Sequence, residues 1–456
     1  MNSNSSATLD DLLACPRCDK ALVRGESLRC TPCDVNFPDV GGVPWLFAEP
    51  TAALAEWRNR LGRTLRELEA DAAQTANAAK SAGLHALTRE RLTRLANAQA
   101  RHVVEISELM TPLGVDTSAP LATHLALRTR VAPTQGLTTY YANLHRDWCW
   151  GEAENEASYA LVAAALPPLT GKRIVVLGSG GGRLAYDLHT CLAPTATLAL
   201  DVNPLLTLAT QRIVHGAHLS LHEFPLAPRT LHDVAIERDL AAPTPVDAHF
   251  HCIVADGLRA PLASEAFDAV VTPWFVDIVD EDFAVLARRI NRLLRQGGVW
   301  VTFGSLRFAA ADPIRCYSPD EIVALVADAG FEAAAPSDTE IPYMCSPASR
   351  HGRRERVVTL AARKTKRIAA PDRHVALPDW LVQANRPVPL LDAFRLQATT
   401  TQVYAFIMSL IDGRRSVKDM AELMEQRRLM PRADAERALR DFLIKMYDES
   451  RATRGV

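Results

Sequence analysis

A glycine turn set directly after an apolar run constrains this chain more than any other feature. Residues 174–184 read Ile-Val-Val-Leu-Gly-Ser-Gly-Gly-Gly-Arg-Leu. The branched apolar run predicts a buried strand, and residues 184–189 predict a helix. Between them Gly178, Gly180 and Gly182 form a Gly-x-Gly-x-Gly turn. Side chains there would collide with a nucleotide cofactor laid across the turn, so glycines let the backbone approach it. Alone, this pattern occurs in many nucleotide-binding folds.

Residues beyond the turn narrow the choice. Asp201 ends the next apolar run (197–200), and Asp256 ends a third (252–255). A Phe-Asp strand comes next at 267–272, then Gly297-Gly298 leads into Val299-Trp300-Val301. In this order the features resemble the class I S-adenosylmethionine methyltransferases. That resemblance implies an α/β fold with a Rossmann-like sheet, with S-adenosyl-L-methionine as cofactor. It also implies that Gly178, Gly180, Gly182 and Arg183 meet the cofactor. Asp201 would hold the ribose hydroxyls, both of which a carboxylate can accept. Asp256 would accept from the adenine amino group. For each acid the residues also allow an ordinary turn at a strand end.

With 456 residues the chain is too long for one ordinary domain. Lys plus Arg number 51 against 53 Asp plus Glu, so no global field draws it to nucleic acid. The first residues lack a basic-then-apolar leader, and the apolar run at 270–279 is too short to span a bilayer. A cytoplasmic protein without membrane contact is expected.

Cys15-Pro-Arg-Cys18 and Cys30-Thr-Pro-Cys33 are two C-x-x-C knuckles. Two such knuckles can close a tetrahedral site of four thiolates, which suits a structural zinc ion. Two disulfides are the alternative, disfavoured in a cytoplasmic chain. The other five cysteines stand in apolar contexts and are expected to be reduced core thiols. Residues 12–46, with Phe37-Pro38-Asp39 and Gly41-Gly42-Val43-Pro44-Trp45, resemble the small zinc domain of tRNA-methyltransferase activators. Such a ribbon either braces its neighbour, the reading favoured here, or grips substrate. Residues 56–113, rich in Ala, Leu, Arg and Glu, predict two or three core-facing helices with no chemistry of their own.

Arg146-Asp147-Trp148, then Gly151, Glu152, Glu156 and Tyr159, precede the first strand. With Gly182-Arg183-Leu184-Ala185-Tyr186, Phe275-Val276-Asp277 and residues 297–304, they resemble the carnosine N-methyltransferase family over roughly 135–364. Class I enzymes usually carry an acid two residues before the first glycine; here Val176 stands there, and that family also lacks the acid. The resemblance implies that Arg146 meets the methionine carboxylate of the cofactor. A surface pairing of Arg146 with Asp147 or Glu152 is the alternative. The resemblance also implies that Asp277 binds an imidazole N–H. Asp277 could instead cap the helix behind it. Trp274, Phe275 and Tyr343 are the candidate substrate-lining aromatics. Where the family has a histidine after the fifth strand, residues 304–309 read Gly-Ser-Leu-Arg-Phe-Ala. Carnosine itself is therefore not the expected acceptor. The basic run at 350–356 predicts a solvated loop that could also bind an acidic tail or a phosphate.

Four prolines lie between 371 and 389 and suggest a linker. Beyond it, helical patterns flank Asp412-Gly413-Arg414-Arg415-Ser416-Val417, with Ser416 as an N-cap. This turn resembles PqqD-like winged-helix domains, which implies a leader peptide as partner. A DNA-binding or docking domain fits the same residues. The expected domains are a ribbon at 1–48, a helical bridge and cofactor lid at 49–150, and a methyltransferase domain at 151–366. A linker at 367–392 and a small helical winged-helix-like module at 393–456 complete the chain.

The function expected is N-methylation of a histidine-like or other heteroaromatic group in a peptide, protein or small molecule. A base methyltransferase of rRNA or tRNA is an alternative, though residues 272–275 read Thr-Pro-Trp-Phe where amino methylation of bases uses an Asn-Pro-Pro-Tyr type. A peptide- or DNA-binding scaffold with a vestigial methyltransferase fold is another.

Overall fold

The computed structural model describes residues 9–114, 136–308, 312–374, 380 and 385–454. Contacts divide the chain into two compact units, Met1–His374 and Val375–Val456.

The first unit is built on an eight-stranded sheet. Its strands are β1 (Arg173–Leu177), β2 (Ala196–Asp201), β3 (Phe250–Val254), β4 (Phe267–Pro273), β5 (Leu294–Gly304), β6 (Phe331–Ala333), β7 (Ser337–Tyr343) and β8 (Arg353–Lys364). The order is β3-β2-β1-β4-β5-β8-β6, with β7 also on β8. The first five run parallel, and β8 is antiparallel to its neighbours. Every residue of β2 is buried, as is Ile174–Leu177 of β1, because helices and the ribbon cover both faces. Strand order reverses between β1 and β4, and a crevice at the carboxyl ends of strands forms at such a switch point.

One face carries α1 (Glu152–Ala165), α2 (Arg183–Leu192) and α3 (Pro204–Val214), with two long helices, Pro50–Ala79 and Ala86–Leu109, packed beside them. Leu61, Leu65 and Ile106 of that pair are buried as their spacing predicts, but Val104 faces out. The other face carries α4 (Phe283–Leu293), α5 (Pro319–Asp328) and most of the cysteine ribbon. The ribbon is tied to the sheet by main-chain bonds. Ala14 N–H donates to Pro261 O and Ala263 N–H to Leu12 O, both at 2.9 Å. Trp45 pairs with Val254 in parallel, and Leu46 N–H donates to Val254 O. The ribbon thus extends the edge at β3, which supports the bracing role.

Two sequence expectations fail here. The basic run is no loop beyond residue 352, since Arg353–Lys364 is β8. Cross-strand acids on β7 hold its arginines: Arg354 and Arg356 lie at 3.5 and 3.2 Å from Glu340. The first four residues of the strand are all charged and none is buried, so they read as a polar loop. The scattered cysteines are also mostly not core thiols. Cys149, Cys191, Cys316 and Cys345 are exposed, and only Cys252 is buried, its thiol pushed up to about 12 by burial.

The residues just before the second unit belong to the first. Lys366 N–H donates to Gly330 O, Arg373 pairs with Asp19 at 3.0 Å, and His374 lies 3.5 Å from Glu281. Residues 375–379 and 381–384 of the proposed linker lie outside the described residues. The second unit has helices Asp392–Leu410, Val417–Gln426 and Arg432–Arg454 around Ile407, Leu410, Met420, Met424 and Leu439. Gly413 (φ +75°) lies in the turn after the first helix, and Ser416 caps the second through a capping box with Asp419. No strand occurs among its described residues.

Candidate active site

The glycine turn comes directly after β1. Its three glycines share positive φ, but their surroundings differ. A Cβ on Gly178 would lie 2.6 Å from Phe275, and one on Gly182 would lie 2.3 Å from Thr210 of α3. A Cβ on Gly180 would meet nothing within 4 Å. Two glycines therefore make room for protein, and only Gly180 faces open space. The neighbouring Gly181 is also close-packed: a Cβ there would strike Asp147 Oδ2 at 2.3 Å.

Asp201, at the end of β2, braces the turn. Its Oδ2 accepts from Gly180 N–H and its Oδ1 from Asn203 N–H, both at 2.8 Å. Burial pushes its carboxyl up to about 6, against those bonds. Val202 N–H also reaches the carboxylate, whose roughly four lone-pair sites still leave room for a further donor. The adjacent Val202 is exposed. Asp256, just past β3, accepts from Leu258 N–H at 2.9 Å and is likewise raised by burial.

A buried polar network carries the segment before β1. Residues 146–150 form one π-helical turn. Arg146 meets Asp147 at 2.7 Å and Glu154 at 3.0 Å, and the other Glu154 oxygen accepts from Met344 N–H. Burial alone would lower the Arg146 guanidinium, but the two carboxylates raise it above its usual range. Of the two acids that the sequence offers as partners, Asp147 pairs and the exposed Glu152 does not; the second partner is Glu154, which the sequence pattern does not single out. Helix α1 starts at Glu152 and turns Glu154 inward. Arg183 pairs with Asp187 at 2.8 Å and donates to Asp147 O, while Trp148 Nε1–H donates to Gly181 O at 2.7 Å. Arg146 and Arg183 thus fix the glycine turn against the preceding segment, and all three nitrogens of Arg146 already face carboxylates.

Beyond β4 the chain turns sharply at Trp274 (φ +49°). Trp274 packs tilted against Tyr343, ring centres 5.0 Å apart, and Arg353 lies 4.4 Å over the Tyr343 ring. Phe275 instead turns inward and is buried; its ring reaches from Gly178 to Gly257, where a Cβ would approach within 2.8 Å. It is a wall of the glycine turn rather than an open ring. Asp277 Oδ2 accepts from Arg307 N–H at 2.7 Å and from Ser305 Oγ–H at 3.2 Å. Its Oδ1 has no partner among the described residues. The helix cap is Asp282, which accepts from Ala284 and Val285 N–H. Ala309 lies outside the described residues. Sequence reasoning also misses Tyr140, a half-exposed residue within electrostatic reach of both Asp201 and Asp277, its hydroxyl raised first by burial and then by those carboxylates.

The match to known proteins fits this geometry. A methyltransferase-domain family model matches residues 175–302, from inside β1 to inside β5. This chain is an S-adenosylmethionine-dependent methyltransferase. Solved structures similar to it include a chain of the complex between the Haloferax volcanii Trm112 methyltransferase activator and a methyltransferase (14% identity, 50% of this chain and 96% of that one, TM-score 0.33). Others are Bacillus subtilis YcgJ (11%, 46% and 99%, 0.32) and Haemonchus contortus phosphoethanolamine N-methyltransferase 2 (15%, 51% and 58%, 0.33). No curated protein matches the sequence.

The residues present fit the cofactor of this methyltransferase. The face over Gly180 is open, Asp201 retains acceptor capacity, and Val202 offers an exposed apolar edge beside it. S-adenosylmethionine supplies the electrophilic methyl group. The chain's part is to align an acceptor, exclude water and keep the attacking atom unprotonated.

Cys15, Cys18, Cys30 and Cys33 converge, their sulfurs all within 4.8 Å of one another. Cys15–Cys33 and Cys18–Cys30 stand 4.0 and 3.4 Å apart. A tetrahedral ion with sulfurs at about 2.3 Å sets them about 3.8 Å apart, so the four fit a metal. No helix among the described residues is long and apolar enough to cross a membrane.

Proposed function

We propose that the enzyme methylates a ring nitrogen of a histidine-like or other heteroaromatic group. The observation that carries this reading is the free Oδ1 of Asp277. Its partner oxygen is held by Arg307 N–H and Ser305, so the carboxylate is fixed while one oxygen stays available. An imidazole N–H donated to Oδ1 would fix the tautomer and leave the other nitrogen's lone pair free for the methyl. Trp274 and Tyr343 would line the ring. Gly178, Gly180, Gly182, Arg183, Asp201 and Asp256 would form the cofactor site, with Arg146 ordering it through Asp147 and Glu154. The four cysteines would hold structural zinc.

The acceptor proposed is a peptide or a small molecule, and the C-terminal helical unit would take a peptide leader on its outward apolar side chains, among them Leu396 and Tyr404. The paired arginines of β8 weigh against nucleic acid. The test is mass spectrometry of histidine-containing peptides, free imidazole-bearing compounds and short RNAs incubated with labelled cofactor. Methyl-histidine in a peptide is the expected product, and carnosine is a poor substrate. Asp277→Asn should keep S-adenosylhomocysteine affinity and lower turnover by about a hundredfold, because an amide cannot stabilise the charge that develops on the ring. A wild-type rate in Asp277→Asn would sink the acceptor reading.

A further inference from the structure

Behind the turn after Asp256, a small cavity of about 50 Å³ lies where the ribbon meets α4. Leu177, Leu286 and Ile290 form its floor, and Arg259, Arg289, Arg292 and Arg373 line it with Asp19. Four guanidiniums share it, yet the carboxylates paired with them are two. Asp19 lies 3.0 Å from Arg373 and 3.8 Å from Arg292, and Glu281 takes Arg289. Glu281 also holds His374, whose imidazole its hydrogen bond raises.

The remaining bonds satisfy donors without neutralising charge. Arg259 gives Nε to Pro16 O at 2.5 Å and Nη1 to His374 O at 3.0 Å. Arg292 gives Nη1 to Leu262 O and Ser264 Oγ at 3.1 Å, and Nη2 to Ala260 O at 3.4 Å. One nitrogen of each arginine (Nη2 of Arg259, Nη1 of Arg289, Nε of Arg292, Nη1 of Arg373) has no partner among the described residues. Burial and neighbouring cations hold the guanidiniums of Arg259 and Arg292 below their ordinary range, although Glu49 and Asp256 attract the first from farther away. Uncompensated buried charge is costly, and an anion offsets it.

We propose that this cavity binds one small oxyanion, the size of phosphate or sulfate, between Arg259, Arg292 and Arg373. The guanidinium fork matches such an ion, and the volume admits an ion but not a nucleotide. The ion would tie the first cysteine knuckle, through Pro16 and Arg259, to the turn beside Asp256.

The test is calorimetric titration of the full-length protein with inorganic phosphate, and separately with glycerol 2-phosphate, at constant ionic strength in chloride. Saturable one-to-one binding of phosphate is expected. Binding of phosphate alone marks a free ion as the ligand; equal binding of the ester marks the phosphoryl end of a larger molecule. Arg292→Gln and Arg373→Gln should each weaken binding about tenfold or more. Arg373 is half exposed at the rim, so its variant should fold and bind S-adenosylhomocysteine as the wild type does. Absence of saturable binding of both compounds overturns the proposal, as does wild-type phosphate affinity in a folded Arg373→Gln.

Discussion

Phe275 lies so close to Gly178 that a methyl group on the glycine would meet its Cδ2 at 2.6 Å. Gly178 also has φ +70°, where an L-residue costs about 1–2 kcal/mol. Gly178→Ala should therefore destabilise the first unit by about 2–4 kcal/mol, strain plus overpacking. Adding Phe275→Leu should recover the packing part alone. Urea denaturation of the single and double variants checks this; additivity of the two would show that the ring is not the obstacle.

Asp201 gives a pH dependence. Its folded carboxyl titrates near 6 against an ordinary value of 3.8. The folded state thus binds the proton more tightly than the unfolded chain. The resulting contribution, roughly 3 kcal/mol, is present below about pH 4 and is lost as pH rises through 6. Asp201→Asn should consequently lose most of this pH dependence, at a fixed cost at both pH values because its single carbonyl oxygen can accept from only one of Gly180 N–H and Asn203 N–H. Cofactor binding runs the other way. Ribose hydroxyls need the ionised acceptor, so S-adenosylhomocysteine affinity should fall as pH drops below 6, and Asp201→Ala should weaken it by about 1–3 kcal/mol at pH 8. Thermal melts and calorimetry at the two pH values decide both.

The sheet was legible because each β-strand–acid junction leaves a mark on the local sequence: the turn at 178–182, Asp201, Asp256 and the Gly297-Gly298 lead. The four cysteines were legible for the same reason. Glu154, Phe275 and the β8 arginines were not. Whether an acid in a Glu-rich first helical turn faces inward depends on where the helix starts. Whether Phe275 lines a pocket or fills it depends on the positive φ of Trp274 before it. Arg354 and Arg356 are explained by acids on β7, the neighbouring strand, a pairing that no local pattern encodes.

Glu154 separates a buried partner from its exposed neighbours. It holds Arg146 and Met344 N–H, and its carboxyl is raised by burial that Arg146 only partly offsets. Glu154→Ala leaves Arg146 with Asp147 alone and should cost about 3 kcal/mol. Glu152→Ala should stay within about 0.5 kcal/mol. If both variants melt alike, the network does not order the segment before β1.

The ribbon should carry one zinc ion, measurable by elemental analysis of protein purified under reducing conditions. Cys30→Ser should release it, because structural zinc is coupled to folding. The consequence reaches Asp256 and the proposed cofactor site by a definite route. Cys15 lies beside Pro16, whose carbonyl accepts from Arg259, and Arg259 stands three residues beyond Asp256. Leu46 N–H and Trp45 also hold the end of β3 at Val254. Loss of the ion should therefore weaken S-adenosylhomocysteine binding several-fold while β1 and β2 remain folded. Circular dichroism reads the fold and calorimetry the affinity. A zinc-free Cys30→Ser protein with wild-type affinity would mean that the ribbon closes the sheet edge without setting the position of Asp256.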